Sequence, residues 1–432
     1  MRIRPARRIR GRIQLPGDKS ISHRAALTAS LANGISKITN YATGADCATT
    51  IACLKSLGIL ITEKDQSIIV IGMGRQGLAP APEPLDCGNS GSTMRMLAGV
   101  LAGQNFRSTL IGDTSLTVRP MLRVIEPLEL MGATIDSNEG KAPLTVIGSS
   151  SLKAITYDLP VASAQVKSSI LFAGLNASGQ TKVSESLTRS RDHTERMLKW
   201  FGAALSVASV GAAQVTTLAG PADLSARDLS VPGDPSSAAY FVAAAAMLPD
   251  SELVIENVGL NPTRTQFFSV LKSLGMDLEF DEVREECHEP RGTIRVSGKR
   301  KLVESQATID GESIPALIDE LPLLAILGSQ TAEGIEIRDA AELRFKESDR
   351  IEATVSNLRA MGANVREFDD GLLVQPGALR GAEIRSYGDH RIVMSFTVAA
   401  LLATGASEID GSDCVGVSFP AFFELLQTIV ES

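Results

Sequence analysis

The sequence contains few residues of the kinds that bind metals or form disulfide frameworks. It has five cysteines and four histidines among 432 residues, and no two cysteines are spaced as a CxxC pair. A zinc site is therefore not expected, because such sites use closely spaced cysteine and histidine ligands. An odd, scattered set of cysteines is typical of free thiols in a reducing compartment, so we expect a cytoplasmic protein without a bound metal.

Positive net charge and long apolar stretches are also absent. The net charge of −8 disfavours a general nucleic-acid-binding protein, which usually carries a basic excess. The longest uninterrupted apolar run, residues 238–248, is too short to cross a bilayer. The arginine-rich start, residues 1–12, lacks the apolar segment of a secretory signal. We expect no nucleic-acid or membrane partner, and a monomer that acts on small molecules.

Two common nucleotide-binding signatures are missing or out of context. The chain has no G-x-x-x-x-G-K-[ST] stretch, which argues against a P-loop kinase. Residues 72–77 match G-x-G-x-x-G after a strand-like run, but Pro80, Pro82 and Pro84 follow at once, so no helix can begin there. We therefore expect neither a dinucleotide-binding site nor a P-loop.

An internal repeat is the main organising feature of the chain. A turn of small residues followed by an Ala-rich helix recurs about every 72 residues. The turns are centred on Gly17, Gly88, Ala162, Gly233, Gly311 and Gly388. A second helix recurs out of phase and ends at glycines suited to positive φ, namely Gly58, Gly132, Gly202, Gly275 and Gly362. The last helix lacks a following strand, which the N-terminal strand Arg2–Arg4 could supply.

The repeat predicts an α/β (α+β layered) fold of six βαβαββ-type units. Helices that are apolar almost all round are buried, so we expect the Ala-rich helices inside and the strands outside, as in a two-domain inside-out α/β barrel-like fold. We place three units in an N-terminal lobe, residues 14–230. The other three lie in a C-terminal lobe formed by residues 1–13 plus 231–432. The active site is expected in the interdomain cleft.

The turns that open the Ala-rich helices carry the unusual residues. The first turn, Pro16-Gly17-Asp18, leads into Lys19, Ser20 and Arg24. A helix N-terminus attracts anions and disfavours cations, so basic residues there suit a phosphate-binding site better than helix stability. An ordinary capped helix with solvated basic residues is the alternative. Three further turns contribute Asn89, Gly91 and Arg95; Ser163, Gln165 and Lys167; and Asp389, His390 and Arg391. The fourth and fifth copies lack basic residues in their turns.

Carboxylates suited to proton transfer are few. Asp319 and Glu320 stand in apolar surroundings, where burial would raise a carboxyl pKa towards a useful range. Glu347 lies between Lys346 and Arg350, which would tend to keep it ionised. A purely structural, salt-bridged Asp319 is the alternative.

Ten stretches in order resemble the 5-enolpyruvylshikimate-3-phosphate synthase family of enolpyruvyl transferases. They are LPGDKSISHR, CGNSGSTMR, TVRPM, ASAQVKSS, SRDHTE, PGDPSSAAYF, IDELP, LRFKESDRI, YGDHRI and SFPAFF. The resemblance implies two globular domains of three similar units each. It also implies transfer of the enolpyruvyl group of phosphoenolpyruvate to the 5-hydroxyl of shikimate 3-phosphate, with release of phosphate and without a cofactor. The inhibitor glyphosate would compete with phosphoenolpyruvate.

The resemblance also implies roles for individual residues. Asp319 would take the 5-hydroxyl proton, Glu347 would protonate the vinyl methylene, and Lys19 would assist as charge develops. The substrate-binding set is Lys19, Ser20, Arg24, Asn89, Gly91, Arg119, Ser163, Ala164, Gln165, Arg191, Asp319, Lys346, Arg350, His390 and Arg391.

Two departures from the family pattern and two rival functions remain open. Many members carry a lysine shortly before the last F-P element, whereas Gly416 and Val417 stand there in this chain. Residue 164 is Ala where some members have Ser. A sister transferase acting on UDP-N-acetylglucosamine normally has a reactive cysteine in the region matching residues 104–120, and none lies there. A non-catalytic anion-binding protein on the same scaffold is the second rival.

Overall fold

The chain forms two compact units in a computed structural model that describes residues 1–186, 188–300 and 306–431. The N-terminal unit comprises Gly17–Val231 and the short segment Glu286–Glu289. The C-terminal unit comprises Met1–Pro16, Pro232–Glu285 and Pro290–Ser432. Each unit has its own apolar core.

The chain begins with two strands of the C-terminal unit, β1 (Arg2–Ile3) and β2 (Arg8–Gln14). The N-terminal unit then follows. Its helices are α1 (Lys19–Leu31), α2 (Ala45–Ser56), α3 (Gly91–Ala102), α4 (Thr114–Thr117), α5 (Leu122–Leu130), α6 (Ala164–Gly174) and α7 (His193–Trp200). Its strands are β3 (Ala32–Thr39), β4 (Leu60–Lys64), β5 (Ser67–Met73), β6 (Leu85–Asp86), β7 (Arg107–Ile111), β8 (Thr134–Asn138), β9 (Lys141–Ile147), β10 (Thr156–Asp158), β11 (Gly179–Glu185), β12 (Leu205–Val210), β13 (Ala213–Gly220), β14 (Leu224–Ser225) and β15 (Leu229–Ser230).

The remaining elements belong to the C-terminal unit. Its helices are α8 (Pro235–Met247), α9 (Gln266–Ser273), α10 (Ile314–Leu317), α11 (Leu321–Gly328), α12 (Arg350–Ala360), α13 (His390–Leu402) and α14 (Phe422–Ile429), with short 3₁₀ helices at Gly311–Ser313, Ala341–Phe345 and Ser412–Val417. Its further strands are β16 (Glu252–Gly259), β17 (Met276–Glu286), β18 (Glu289–Arg300), β19 (Ala307–Ile309), β20 (Ile335–Ile337), β21 (Val365–Phe368), β22 (Gly371–Val374), β23 (Glu383–Ile384), β24 (Ser407–Ile409) and β25 (Val430–Glu431).

The described residues form six sheets, three in each unit, and four of these sheets share one topology. In the N-terminal unit the strand orders are β14-β3-β5-β4, β6-β7-β9-β8 and β10-β11-β13-β12. Each order begins with a parallel pair and continues with two antiparallel pairs. The sheet β19-β20-β22-β21 of the C-terminal unit repeats the same pattern. The repeat found in the sequence is therefore a repeated sheet with its helices.

The other two sheets of the C-terminal unit are completed by the ends of the chain. Strand β1 pairs antiparallel with β24, Arg2 opposite Glu408, and so supplies the strand that the sixth copy lacks. Strand β2 lies between β16, to which it is parallel, and the C-terminal β25, to which it is antiparallel. The sequence-based prediction that residues near Arg2 supply the missing strand is confirmed.

The Ala-rich helices are the buried layer of each unit. All 13 residues of α8 are buried, as is every residue of α1 from Ile21 to Leu31. Each sheet packs one face on these helices and leaves its other face exposed. In β5 the side chains of Ile68 and Val70 are buried, whereas those of Ile69 and Ile71 are exposed. This arrangement confirms the predicted α/β fold with helices inside and strands outside.

The second helix of each predicted copy ends as the sequence indicates. The glycines expected to require positive φ, Gly58, Gly132, Gly202, Gly275 and Gly362, all have φ between +81° and +107°. The stretch matching G-x-G-x-x-G ends strand β5 and begins no helix. In the described part of the chain, no helix combines the length and the apolar character needed to cross a membrane.

Candidate active site

Helix α1 of the N-terminal unit begins directly after the Pro16-Gly17-Asp18 turn. Gly17 is required there, because a Cβ would lie 1.8 Å from the carbonyl oxygen of Asn40. Asp18 caps the helix, its carboxylate accepting a hydrogen bond from the amide of Ile21 at 2.9 Å. The basic residue that follows therefore lies at the positively polarised end of α1.

Lys19 is held at that helix end by an acidic residue of the next helix. Its Nζ lies 2.8 Å from Oδ2 of Asp46, in the first turn of α2. Asp46 is buried and Lys19 is partly exposed. A cation is unfavourable beside a helix N-terminus, so the carboxylate of Asp46 offsets that cost and leaves an ammonium group in place where an anion would bind.

The start of α3 carries a second group of polar side chains. Ser90 caps this helix, its Oγ accepting from the amide of Thr93 at 3.2 Å. The preceding Asn89 accepts from Nη2 of Arg119 at 2.9 Å and donates to Oδ2 of Asp113 at 2.7 Å. The guanidinium of Arg119, from the loop before α5, is thereby fixed beside this helix N-terminus.

Gly91, the first residue of α3, lies against two guanidinium groups. A Cβ at this position would be 2.8 Å from Nη1 of Arg95 and 3.5 Å from Nη1 of Arg119. Arg95 also donates from Nη1 to Oε1 of Gln165 at 2.7 Å. Any side chain at residue 91 would therefore displace a guanidinium that is already engaged.

The start of α6 is joined to the start of α3 by side chains and by close backbone packing. Gln165 donates from Nε2 to Oγ of Ser92 at 2.8 Å while it accepts from Arg95. Ser163 caps α6, accepting from the amide of Val166 at 3.4 Å. Further along, a Cβ at Gly99 would lie 2.1 Å from the carbonyl oxygen of Ser169, so only glycine allows the two helices to approach so closely.

Arg24 braces α1 against α6 and α7. Its Nε donates to Oγ1 of Thr194 at 2.7 Å, and its Nη2 lies 2.9 Å from Oγ of Ser168 and 3.4 Å from the carbonyl oxygen of Ala164. Ser20 accepts from Nη1 of Arg191 at 3.1 Å. The N-terminal unit thus brings the starts of α1, α3 and α6 into one connected set.

In the C-terminal unit, Asp319 lies between two guanidinium groups. Its carboxylate oxygens are 3.5 Å from Nη1 of Arg350 and 3.4 Å from Nη2 of Arg391. Burial alone would lower the pKa of Arg391, but Asp319 and other acidic neighbours outweigh it and raise that pKa well above its usual value. The two cations favour the carboxylate form of Asp319, which can then accept a proton.

Arg350 is the centre of the charge cluster in this unit. It lies 2.6 Å from Glu347 and 2.8 Å from Asp389, and its side chain is 1% exposed. Asp389 caps α13 by accepting from the amide of Arg391 at 2.8 Å, and the buried His390 is the first residue of that helix. Burial would raise the pKa of Asp389, but the charge of Arg350 outweighs it and lowers that pKa.

Lys346 completes the group of cations. Burial lowers its pKa and the charge of Arg350 lowers it further, while the carboxylates of Glu342 and Asp319 oppose the shift. A lysine with a lowered pKa gives up its proton more easily, and an anion bound beside it would favour the charged form again. Among the described residues, no group of three His, Cys, Asp or Glu side chains is placed to hold a metal ion.

The geometry therefore offers helix N-termini with cations in one unit, and carboxylates between cations in the other. A family model described as EPSP synthase (3-phosphoshikimate 1-carboxyvinyltransferase) matches residues 3–426. The chain belongs to this family.

Relatives of the EPSP synthase family match the whole chain. Proteins named 3-phosphoshikimate 1-carboxyvinyltransferase from Koribacter versatilis (strain Ellin345) and Desulfitobacterium hafniense (strain DSM 10664 / DCB-2) are each 49% identical to it. Both alignments cover 100% of this chain, with 99% and 98% of the relative. A 2.37 Å structure of EPSP synthase from Acinetobacter baumannii is similar with a TM-score of 0.87 and 38% identity, covering 100% of this chain and 98% of that one.

One basic residue, Lys167, does not lie where the sequence suggested, and one basic residue that the sequence did not single out, Arg264, lies beside a helix start. Lys167 follows the α6 start but is 1% exposed, with its Nζ 2.7 Å from both Glu185 and Glu195, so it is an internal ion-pair partner. Conversely, the fourth helix start does have a basic neighbour. Arg264, from the loop after β16, lies 3.1 Å from the cap Asp234.

The structure adds acidic residues to the predicted set. Asp46, which holds Lys19, and Asp389, which holds Arg350, were not assigned roles from the sequence. Glu320 lies 3.8 Å from Arg391. The only sequence signal for Asp389 was its place in a helix-opening turn. No sequence signal connected Asp46 with Lys19, because the two residues belong to different helices.

Proposed function

We propose that this member of the EPSP synthase family transfers the enolpyruvyl group of phosphoenolpyruvate to the 5-hydroxyl of shikimate 3-phosphate. The products are 5-enolpyruvylshikimate 3-phosphate and phosphate, on the way to chorismate and the aromatic amino acids. The observation that carries the proposal is the placement of Asp319 between Arg350 and Arg391, in a chain that matches the family over residues 3–426. A carboxylate held between cations suits a base that acts on a substrate bearing phosphate.

The N-terminal unit would bind the two phosphorylated substrates. Ser20, Arg24, Ser163 and Gln165 would hold shikimate 3-phosphate. Lys19, Asn89, Gly91, Arg119 and Gln165 would surround phosphoenolpyruvate, and Ala164 and Arg191 would belong to the same substrate-binding set. Support comes from the connected starts of α1, α3 and α6, whose amides and cations suit multiply charged anions.

The C-terminal unit would supply the proton transfers. Asp319 would take the 5-hydroxyl proton as the hydroxyl oxygen bonds to C2 of phosphoenolpyruvate, and Glu347 would deliver a proton to C3. Loss of phosphate and of one proton from the new methyl group then restores the double bond. A substrate carboxylate bound to Arg350 would compete with Glu347, now 2.6 Å away, and so help Glu347 to acquire the proton that it delivers.

Further cations of the C-terminal unit would neutralise the substrates. Lys346 would contact shikimate 3-phosphate, Arg350 and Arg391 would contact phosphoenolpyruvate, and His390 would lie at the α13 start beside them. Domain closure would expel water and strengthen each of these contacts. That both units act on the same pair of substrates, in a cleft between two lobes, stays a prediction.

Three finer properties belong to this proposal. Glyphosate would inhibit by competing with phosphoenolpyruvate, because Gly91 leaves the space beside Arg95 and Arg119 free of a side chain. A cytoplasmic location is supported by the five free cysteines, which suit a reducing compartment. That the protein is a monomer stays a prediction.

The test is a comparison of binding with turnover in the purified protein. Each substrate is titrated alone by calorimetry, and phosphate release is then measured with both present. We expect release that depends on both substrates and no release when UDP-N-acetylglucosamine replaces shikimate 3-phosphate. Binding of both substrates without release would instead favour a non-catalytic anion-binding protein.

A further inference from the structure

A chain of four buried polar side chains runs beneath the predicted phosphoenolpyruvate-binding residues of the N-terminal unit. Nδ1 of His23 lies 2.7 Å from Oγ1 of Thr50, which lies 2.7 Å from Oγ1 of Thr93. Thr93 donates in turn to Oγ of Ser90 at 2.8 Å. All four residues are at most 1% exposed, so none of them faces solvent.

The chain is electrically neutral under ordinary conditions. Burial lowers the pKa of His23 to about 3, and the nearby charges of Lys19 and Arg24 also act against protonation, while Asp46 opposes them. A buried polar group without a partner costs free energy. Each of these hydrogen bonds is therefore a directional constraint on the helices that carry its two ends.

The chain and the Lys19–Asp46 ion pair are two successive contacts between the same helices. His23 follows Lys19 by one turn of α1, and Thr50 follows Asp46 by one turn of α2, so each pair shares a helix face. The first contact joins the helices at 2.8 Å and the second at 2.7 Å. Together they fix both the distance and the rotation of α1 relative to α2.

The far end of the chain reaches the start of α3. Ser90, the last member, is also the cap of that helix and adjoins Asn89 and Gly91. Thr93 contacts both the cap and Thr50. The chain therefore connects the helix start that carries Lys19 to the helix start that carries Asn89.

We propose that His23, Thr50, Thr93 and Ser90 form a positioning network that sets the spacing between the α1 and α3 starts for phosphoenolpyruvate. The inference rests on the proposed function. In that proposal phosphoenolpyruvate is held mainly by groups of α1 and α3, which this network and the Lys19–Asp46 pair join through α2. Shikimate 3-phosphate is held mainly by α1 and α6, which Arg24 joins directly.

The test removes one hydroxyl of the network and keeps the side-chain shape. In Thr50→Val we expect the KM for phosphoenolpyruvate to rise about tenfold, because small misplacements of binding groups are costly. The KM for shikimate 3-phosphate should stay within about twofold, since Arg24 is untouched. Thr50→Ser, which restores the hydroxyl, should return the KM for phosphoenolpyruvate to within about threefold of the parent value.

Thr28→Val is the matched control. Thr28 lies on α1, is fully buried, and its hydroxyl has no hydrogen-bond partner among the residues that the structure describes, so the same substitution should leave both KM values unchanged. If Thr50→Val and Thr28→Val have the same KM for phosphoenolpyruvate, the proposed network is wrong. It is also wrong if Thr50→Val raises the KM for phosphoenolpyruvate and the KM for shikimate 3-phosphate alike and Thr50→Ser does not reverse the rise. Should Thr50→Val fail to fold, Thr93→Val with Thr93→Ser applies the same criteria to the next link. Failure of the parent protein to release phosphate would instead overturn the proposed function.

Discussion

The buried pair Arg350–Asp389 should be worth several kcal/mol to the C-terminal unit, and Asp389→Asn isolates that contribution. The side chains are 1% and 0% exposed, and Nε of Arg350 lies 2.8 Å from Oδ2 of Asp389. Asparagine caps helices as well as aspartate does, so the bond from the amide of Arg391 at 2.8 Å can persist. The substitution therefore removes the charge together with the Oδ2 acceptor that Nε of Arg350 and Oγ of Ser348 use, at 2.8 Å and 3.1 Å.

The size of the expected loss in the free energy of unfolding follows from the ion-pair partners that Arg350 retains. Removing one partner of a buried ion pair costs about 3 to 5 kcal/mol when the other charge is left uncompensated. Arg350 keeps Glu347 at 2.6 Å and Asp319 at 3.5 Å, so we expect the lower end, about 3 kcal/mol. Asp281→Asn is the comparison, because its pair with Arg295 is 46% and 44% exposed and should lose no more than about 1 kcal/mol.

The effect should also depend on pH in a defined direction. The pKa of Asp389 is lowered in the folded protein, because the charge of Arg350 outweighs burial. A carboxylate whose folded pKa is depressed stabilises the fold above its unfolded pKa, and that stabilisation is lost as the pH falls through the folded pKa. The difference between the parent and Asp389→Asn should be full at pH 7 and shrink below about pH 4.

Urea unfolding followed by far-UV circular dichroism measures this difference. The single tryptophan, Trp200, lies in the N-terminal unit, so its fluorescence reports separately on the unit that is not mutated. A loss for Asp389→Asn no larger than that for Asp281→Asn would refute the reasoning. A loss that is the same at pH 7 and pH 3.5 would show that charge is not its origin.

Four further substitutions test the site and its support. Asp319→Asn and Glu347→Gln should each reduce turnover by about 10²-fold or more, as general acid–base roles imply, while calorimetry still detects shikimate 3-phosphate; near-normal turnover would remove that residue from the mechanism. Gly91→Ala should raise the glyphosate concentration needed for half-inhibition, because its Cβ would lie 2.8 Å from Nη1 of Arg95, and unchanged inhibition would contradict the steric argument. Lys167→Met should destabilise the N-terminal unit by about 3 kcal/mol in a Trp200-monitored urea melt, because it leaves two buried carboxylates together; a loss below about 1 kcal/mol would show that this cluster contributes little.

The repeat and its helix starts could be predicted because they depend on local sequence. Turn glycines such as Gly58 and Gly362 adopt the positive φ that their places after helices indicate. That the strand near Arg2 completes the sixth copy also followed from counting, whereas its partner β24 came from the structure alone. A periodic sequence thus shows which helices and strands recur, and which strand of an incomplete copy must be supplied by another part of the chain.

The ion-pair partners could not be predicted in the same way, because they come from neighbouring elements. Lys19 and Lys167 both follow a helix-opening turn and look alike in the sequence. Asp46 holds the first at the partly exposed start of α1, whereas Glu185 and Glu195 take up the second within the core. Periodicity places a residue along its own helix, but the counter-ion depends on which face of an adjacent helix or strand meets it.

The same distinction explains why the site is more than a row of helix N-termini. A helix start attracts anions weakly by itself and repels the lysine or arginine that would strengthen it. Three basic residues at or beside helix starts are accordingly accompanied by an acceptor from another element: Asp46 for Lys19, Asn89 for Arg119, and Asp319 for Arg391. These acceptors neutralise the cations only in part, and their own positions depend on packing. The affinity for phosphorylated substrates should therefore be as sensitive to buried spacers such as Thr50 as to the cations themselves.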